Sequence, residues 1–408
     1  MVDLSLNFAG LELKNPLIVA SSDNCRDIRQ FKEAEECGAS AVIAKAMLPP
    51  DSVGLKWAPR YFIDATAGTL CGIGGSTIIS YDQGLELIKA AKKETKIKIG
   101  ANIPFQGLVE LERFADTAKR AADAGADFVE MNFSPQVAGH LGTHLKSEDW
   151  QAQQGDEINM LEAIMRELPR WITEAVQATK QVAGIPIIAK ICPEGIDVVA
   201  IARAMESGGA DAIDAVNAGG GAIKIDIFDR GRLVMPAASS ASLVTVGAPL
   251  KTYAQGVVAR ISQAVKIPIM GTGGLMNWQD VVEMMMFGAT TVSFCTLLMI
   301  HGFAAITEIE KGLREFMEQQ GYSHLEDFRG LALKNVAPSG PACEAIPSVA
   351  RIDERACTGC GICLRPAHCV AISMDGGRAV INEAECLGCG TCSLLCPADA
   401  ISMVEMPG

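Results

Sequence analysis

Positive charge is scarce in this chain. Its 408 residues carry 35 Lys and Arg against 48 Asp and Glu, a formal net charge of −13. Histidine occurs five times and aromatic residues make up 5%. No basic cluster interleaves with aromatics, so the surface that would neutralise a nucleic-acid backbone is missing. The first residues, Met-Val-Asp-Leu-Ser-Leu, hold neither a basic n-region nor an apolar h-region, which argues against secretion. Long apolar runs are also lacking. One stretch without Asp, Glu, Lys or Arg, 284–306, is broken by Gly288, Thr290, Thr291 and Ser293. It reads as a buried helix end and a strand rather than a membrane span. No G-x-G-x-x-G fingerprint opens a helix after a strand, so the chain lacks its own NAD(P) signature.

Cysteine is what the chain has in excess. Eight of fourteen cysteines fall in the last fifty-two residues, in two tandem runs. The second run is Cys386-Leu-Gly-Cys389-Gly-Thr-Cys392-Ser-Leu-Leu-Cys396-Pro397, the C-x2-C-x2-C-x3-C-P spacing of a two-cluster bacterial ferredoxin. Three thiolates on one tight loop bind three irons of a cubane, and the fourth reaches the other cluster. The first run is Cys357-Thr-Gly-Cys360-Gly-Ile-Cys363 followed by Cys369, with five intervening residues where three are usual. The spacing therefore assigns Cys357, Cys360, Cys363 and Cys396 to one 4Fe–4S cluster, and Cys386, Cys389, Cys392 and Cys369 to the other. If Ala371-Ile372 is aligned with Ala400-Ile401, the usual fourth-ligand position falls on Ala367, so either Cys369 reaches its cluster through a wider loop or the cluster of Cys386, Cys389 and Cys392 lacks a cysteine and is labile or differently ligated. Disulfide frameworks lack this spacing, and zinc ribbons rarely place three ligands in C-x2-C-x2-C. Free thiolates without a leader segment fit a reducing cytoplasm. Such a tail carries electrons.

An internal repeat organises the first 320 residues. Gly38-Ala-Ser-Ala-Val42, Gly125-Ala-Asp-Phe-Val129, Gly209-Ala-Asp-Ala-Ile213 and Gly288-Ala-Thr-Thr-Val292 recur at intervals of 87, 84 and 79 residues. Each follows an amphipathic helical pattern, such as 111–124 or 198–207. The glycine suits a helix C-cap, and the Val/Ile run suits a strand buried on both faces. Between them lie Lys96-Ile-Lys-Ile-Gly100, Ile185-Pro-Ile-Ile-Ala189 and Ile267-Pro-Ile-Met-Gly271, and Asn15-Pro-Leu-Ile-Val-Ala20 comes first. Eight strands alternating with helices predict a (β/α)8 TIM barrel over 1–320; a doubly wound open sheet fits the regular spacing less well. Residues 3–14 predict a hairpin closing the barrel bottom. Residues 321–350, with Pro338, Pro341 and Pro347, read as a connection. Residues 351–408 read as a small α+β bacterial-ferredoxin-like domain.

Chemistry in such barrels sits at the C-terminal strand ends. Those ends read Ala20-Ser21, Lys45, Asn102, Asn132-Phe133-Ser134, Lys190, Asn217, Gly271-Thr-Gly-Gly274 and Cys295-Thr296. The glycine turn after the seventh strand lets backbone N–H groups approach a phosphate. Lys45 and Lys190 end otherwise apolar strands. A buried lysine is costly without a partner, so each faces an anion, an electron-rich ring or a structural ion pair. Both together, beside a phosphate turn and an iron–sulfur tail, favour flavin mononucleotide, which couples one-electron traffic to hydride chemistry. The clusters Gly72-Ile-Gly-Gly75 and Gly219-Gly-Gly221 are weak signals by themselves. Cys25, Cys37, Cys71, Cys192 and Cys343 have no ligand spacing; Cys25 and Cys71, near the mouth, are minor catalytic candidates.

These residues carry a resemblance. The segments Asn15-Pro-Leu-Ile-Val-Ala-Ser21, Ala44-Lys45, Glu130-Met-Asn-Phe-Ser-Pro135, Ala189-Lys190, Ala215-Val-Asn217, Thr272-Gly-Gly274 and the cysteine tail, in that order, resemble the flavin- and cluster-bearing part of the dihydropyrimidine dehydrogenase family. The barrel is similar to dihydroorotate dehydrogenases. The resemblance implies that Ala20, Ser21, Lys45, Lys190, Asn217, Gly273, Gly274, Cys295 and Thr296 line FMN, and that Asn132 and Asn217 touch flavin or substrate. It also implies a second subunit that carries FAD and binds the nicotinamide. The family loop after the fourth strand reads Asn-x-Ser-Cys-Pro or Asn-x-Ser-Ser-Pro, with the residue before proline as acid/base. Here Asn132-Phe133-Ser134-Pro135 is one residue shorter. Ser134 is the candidate proton donor, and His140 and His144 in the following loop are alternatives. His-x3-His without a carboxylate partner is a poor metal signal. The family's pyrimidine-binding asparagine aligns with Gly75, and the threonine after the counterpart of Asn217 is Ala218, which weakens pyrimidine recognition.

The sequence thus points to an FMN- and iron–sulfur-dependent oxidoreductase acting on an activated C=C or CH–CH bond of a small conjugated substrate. A dihydropyrimidine is the leading specific guess. The clusters would relay electrons to or from a partner, and homo-oligomerisation is left open. The reading from another class is an electron-transfer subunit whose barrel keeps FMN but has lost substrate chemistry.

Overall fold

Each Gly-Ala segment begins where a helix stops. Gly38, Gly125, Gly209 and Gly288 have φ of 101°, 101°, 90° and 105°, a conformation that closes a helix without the strain a Cβ would bring. The next residue turns the chain into a barrel strand. In two repeats the third residue is an aspartate that clamps the neighbouring strand. Asp127 accepts from the Ile99 N–H at 2.9 Å, and Asp211 accepts from the Ile187 N–H at 2.7 Å. Lys92 and Lys180, from the preceding helices, pair with these aspartates.

The computed structural model describes residues 2–48, 61–64, 69–73, 79–104, 111–133, 160–192, 196–222, 225–233, 243–336 and 347–406. The chain divides into two units, Met1–Pro338 and Ser339–Gly408. In the first, the strands β1 (Leu17–Val19), β2 (Ala41–Ala44), β3 (Lys98–Pro104), β4 (Phe128–Asn132), β5 (Ile187–Ile191), β6 (Ala212–Ala215), β7 (Ile269–Thr272) and β8 (Thr291–Phe294) form a closed barrel. Every neighbouring pair is parallel, including β8 with β1. This is the (β/α)8 barrel that the repeat predicts.

The hairpin of Leu6–Phe8 and Leu11–Leu13 buries Leu6, Phe8, Leu11 and Leu13 in the main core. Asn7 shares a cleft with 267–269, Gly288 and Thr290, which puts the hairpin at the N-terminal end of β7 and β8. The charge-free stretch 284–306 is the end of the helix Trp278–Met286, then β8, then the helix Thr296–His301. Among the described residues no helix is long and apolar enough to cross a membrane. Residues 321–336, read from sequence as part of a connection, pack on the barrel: the Gly330 and Ala332 N–H groups donate to the carbonyls of Met285 and Met286, and Phe328 is fully buried.

Long excursions leave the C-terminal ends of β2 and β6. They meet in one antiparallel sheet of four strands, in the order Gly219–Ala222, Leu243–Gly247, Thr69–Ile73, Tyr61–Asp64. Gly72 and the cluster Gly219-Gly-Gly221 therefore lie in strands of a sheet built from these two excursions.

The second unit pairs Ser348–Ile352 with Ile401–Glu405, the two ends of the domain, in antiparallel register. A second hairpin joins Ile372–Asp375 to Arg378–Ile381. Its small core is Ala350, Cys363, Ala379, Cys392 and Ile401.

Candidate active site and iron–sulfur unit

Six adjacent barrel strands each send one polar side chain into a buried layer near the C-terminal mouth. Asn102 (β3), Glu130 (β4), Lys190 (β5), Asp214 (β6), Thr272 (β7) and Ser293 (β8) are all buried. The period-two alternation of a strand puts them on the inner face. Asn102 Nδ2 donates to Glu130 Oε1, and Thr272 Oγ1 donates to Asp214 Oδ1. Thr272 Oγ1 lies 2.6 Å from Ser293 Oγ. Lys190 Nζ is 2.6 Å from Asp214 Oδ2 and 3.8 Å from Glu130 Oε2.

Lys190 is 5% exposed. Burial by itself would depress its ammonium, but Asp214 and Glu130 outweigh that and raise it above the ordinary lysine range, so it stays charged. Glu130 is raised as well, which for a carboxyl favours the neutral form: burial raises it, Lys190 offsets part of the rise, and Asp214 adds to it. Lys45 Nζ lies 3.3 Å from Asp23 Oδ1, both largely buried. Both lysines at the strand ends thus have carboxylate partners, as the ion-pair alternative required.

The rim above the layer is made of amides. Asn217 Nδ2 donates to Asn132 Oδ1 at 3.0 Å, and Asn132 Nδ2 donates to Asn102 Oδ1 at 3.4 Å. Across the mouth, Gly273 and Gly274 have φ of 124° and 75°. A Cβ on Gly274 would stand 2.4 Å from the backbone nitrogen of Lys251 and 2.9 Å from the Gly247 carbonyl oxygen. Only glycine fits there, which brings a turn of bare backbone against the start of the helix Lys251–Ser262. Ala20 continues β1 by donating its N–H to Phe294, Ser21 Oγ donates to the Ala44 carbonyl at 2.9 Å, and Cys295-Thr296 opens the short helix after β8.

Ala20, Ser21, Lys45, Asn102, Asn132, Lys190, Asn217, Gly273, Gly274, Cys295 and Thr296 therefore all stand at C-terminal strand ends. Ser134, His140, His144 and Gly75 lie outside the described residues. Cys25 is a poor nucleophile: burial pushes its thiol up to about 12, and its Sγ donates to the Ala20 carbonyl. Glu130 and Asp214 were not singled out from the sequence. Their signal was a carboxylate in the middle of an otherwise apolar strand, at Phe128-Val-Glu-Met-Asn132 and Ala212-Ile-Asp-Ala215.

In the second unit, the cysteines ring two cavities. One is lined by Cys357, Cys360, Cys363 and Cys396. The other is lined by Cys369, Cys386, Cys389 and Cys392. Each thus receives three thiols from one run and one from the other. Among the described residues, no three His, Cys, Asp or Glu converge tightly enough for a single metal ion. Thiols spread around a void suit a cluster, whereas zinc would draw four sulfurs to about 2.3 Å from one point.

Cys369 faces its cavity through the wider loop, whose turn is closed by the Cys369 N–H donating to Pro366. The extra length brings His368 Nε2 to 3.3 Å from Cys389 Sγ. That contact, with help from Thr391, lowers the Cys389 thiol to about 7. Backbone N–H groups point at two other sulfurs, Ala350 at Cys386 (3.5 Å) and Ala400 at Cys396 (3.3 Å).

A family model described as dihydroorotate dehydrogenase matches residues 3–317, and one described as a 4Fe-4S binding domain matches residues 379–402. The catalytic subunit of dihydroorotate dehydrogenase B (NAD(+)) of Thermococcus kodakarensis is 30% identical over 344 residues, 81% of this chain and 98% of that protein. The corresponding subunit of Methanosarcina acetivorans is 30% identical over 327 residues, 80% of this chain and 95% of that protein. The NAD-dependent dihydropyrimidine dehydrogenase subunit PreA of Escherichia coli (strain K12) is 25% identical over 373 residues, 88% of this chain and 84% of that protein. These relatives cover 80% to 88% of the chain, and the family model spans the whole barrel: this protein belongs to the dihydroorotate dehydrogenase family of oxidoreductases and carries a 4Fe-4S motif in its C-terminal unit.

Proposed function

We propose that the chain is an FMN- and iron–sulfur-dependent oxidoreductase acting on a CH–CH or C=C bond of a small conjugated substrate, with a dihydropyrimidine as the leading specific candidate. The observation that carries this reading is the mouth itself: a buried lysine paired with carboxyl groups under an amide rim, facing a glycine turn that no side chain could occupy. That set fits FMN. Gly273 and Gly274 would take the phosphate with Cys295 and Thr296. Lys190 would meet the electron-rich edge of the ring, Asn102, Asn132 and Asn217 its polar margin, and Ala20, Ser21 and Lys45 its opposite side. When bound, FMN supplies hydride exchange with a carbon and single-electron exchange with clusters.

The remaining roles belong to the chain. The amides of Asn132 and Asn217 would orient a ring carbonyl or N–H of the substrate. Ser134, as the residue before the loop proline, would hold the proton exchanged at the neighbouring carbon, with His140 and His144 as alternatives. The eight cysteines would hold two 4Fe–4S clusters, in the crossed sets that ring the two cavities. The names of the relatives join NAD to the word subunit, and this sequence has no dinucleotide fingerprint. Both support a partner that carries the nicotinamide chemistry.

The test is stoichiometric. Anaerobically purified protein should release about one FMN and hold about eight irons, four per cubane. Release of FAD, or zinc in place of iron, would overturn it. The shortened Asn132-Phe133-Ser134-Pro135 loop favours a second reading, an electron-transfer subunit whose flavin no longer meets a substrate.

A further inference from the structure

Glu130, Asp214 and Lys190 form a closed set of three ionisable groups, with side chains no more than 6% exposed. Lys190 Nζ lies 2.6 Å from Asp214 Oδ2 and 3.8 Å from Glu130 Oε2. Glu130 Oε2 finds no hydrogen-bond donor although it is wholly buried, and Asp214 Oδ2, equally buried, has only the Lys190 ammonium beside it. Both carboxyl groups lie against the same ammonium, and a hydrogen bond with Asp214 is among the influences that raise Glu130. Two ionised carboxylates only accept, so neither can satisfy the other. With both ionised, the site would also hold one uncompensated negative charge in the barrel interior, a state that burial strongly disfavours.

We propose that Glu130 and Asp214 share one proton, with Glu130 Oε2 donating to Asp214 Oδ2, and that this proton sets the net charge of the layer that Lys190 shares with them at the barrel mouth. One proton resolves both observations. It turns Glu130 Oε2 into a donor, gives Asp214 Oδ2 a second donor beside the ammonium and brings the three groups to zero net charge. It belongs to Glu130 because Asp214 has the better partners for an anion: the ammonium at 2.6 Å and the hydroxyl of Thr272. Glu130 has only the amide of Asn102 and the distant side of Lys190. The upward shift that burial gives Glu130 agrees with this placement. Glu130 is then a positioning residue: without its proton the layer would carry a net negative charge and repel an anionic or electron-rich group above it. The effect on a flavin rests on the FMN reading; the proton itself does not.

The test combines infrared spectroscopy with a redox titration on the intact, anaerobically purified protein at neutral pH. Wild type should show a protonated-carboxyl C=O band that is lost in Glu130→Gln, since glutamine has the same shape and charge as the acid. The band should also vanish in Asp214→Asn, where Glu130 remains but becomes the only counter-charge for Lys190 and ionises. A purely packing role for Glu130 would leave the band in Asp214→Asn. The flavin midpoint potential of Glu130→Gln should match wild type. Absence of the band from wild type, its persistence in Asp214→Asn, or an upward shift of the potential in Glu130→Gln would each overturn the proposal. If Glu130→Gln fails to fold, the wild-type and Asp214→Asn bands still decide. A preparation that shows the band but binds no flavin would remove the FMN reading and leave the shared proton standing.

Discussion

Lys190 is the residue on which most of the barrel mouth depends. Two buried carboxyl groups lean on its ammonium, and the one negative charge they carry between them loses its counter-charge if it goes. Removing one partner of a buried ionic set costs about 3–5 kcal/mol, because the charges left behind cannot be solvated. Lys190→Met should therefore lower stability by roughly that amount at about pH 7, as read by urea or guanidinium denaturation. Without the lysine, the set keeps buried carboxylate charge with no counter-ion, and groups in that state bind protons more readily when folded than when unfolded. For such groups the lost stability returns as pH falls, because protonation removes the buried charge. The deficit against wild type should shrink toward about pH 5, whereas a deficit that is flat with pH would mean that lost packing, not lost charge, is responsible. In the same variant the flavin should bind weakly or show a lowered potential.

At the scale of elements, the two turns proposed to meet ligands make opposite demands. The Gly273-Gly274 turn needs an absence of side chain, since a methyl group on Gly274 would meet the Lys251 backbone at 2.4 Å. Gly274→Ala should cost about 1–3 kcal/mol in strain and sharply reduce flavin content, measured on the purified protein. The 363–369 loop needs added length, since two extra residues carry Cys369 to its cavity and His368 to Cys389. Cys369→Ser should cut iron from about eight to about four per chain while the cluster of Cys357, Cys360, Cys363 and Cys396 persists in electron paramagnetic resonance. Full iron retention would mean that Cys369 is no ligand. The barrel strands and the crossed cysteine sets were legible in the sequence because both depend on local spacing: a glycine stop before an apolar run, and thiols at fixed offsets. The four-stranded sheet over the mouth was not legible. Its pairs join Thr69–Ile73 to Leu243–Gly247, far apart in the chain, and its glycine-rich strands lack apolar alternation. Asp214 and Glu130 were hidden for a different reason. A lone carboxylate in an apolar strand becomes informative only when the barrel brings a lysine from the strand between them.

Across the whole molecule, one chain combines a barrel suited to two-electron chemistry with a tail suited to single electrons. Its acidic balance, −13 over 408 residues, suits a soluble redox partner with a complementary basic face more than an anionic surface. Mild chelation that strips the clusters should leave flavin bound and reducible by dithionite, yet stop electron transfer from flavin to an external one-electron acceptor. The most direct test follows the flavin of the intact, dithionite-reduced protein under anaerobic conditions while a panel of pyrimidines and conjugated acids is added. Reoxidation by at least one C=C compound, slowed by about two to four powers of ten in Ser134→Ala, is the predicted result. A flavin that stays reduced with every compound, yet passes its electrons readily through the clusters, would contradict substrate chemistry in the barrel and leave an electron carrier in its place.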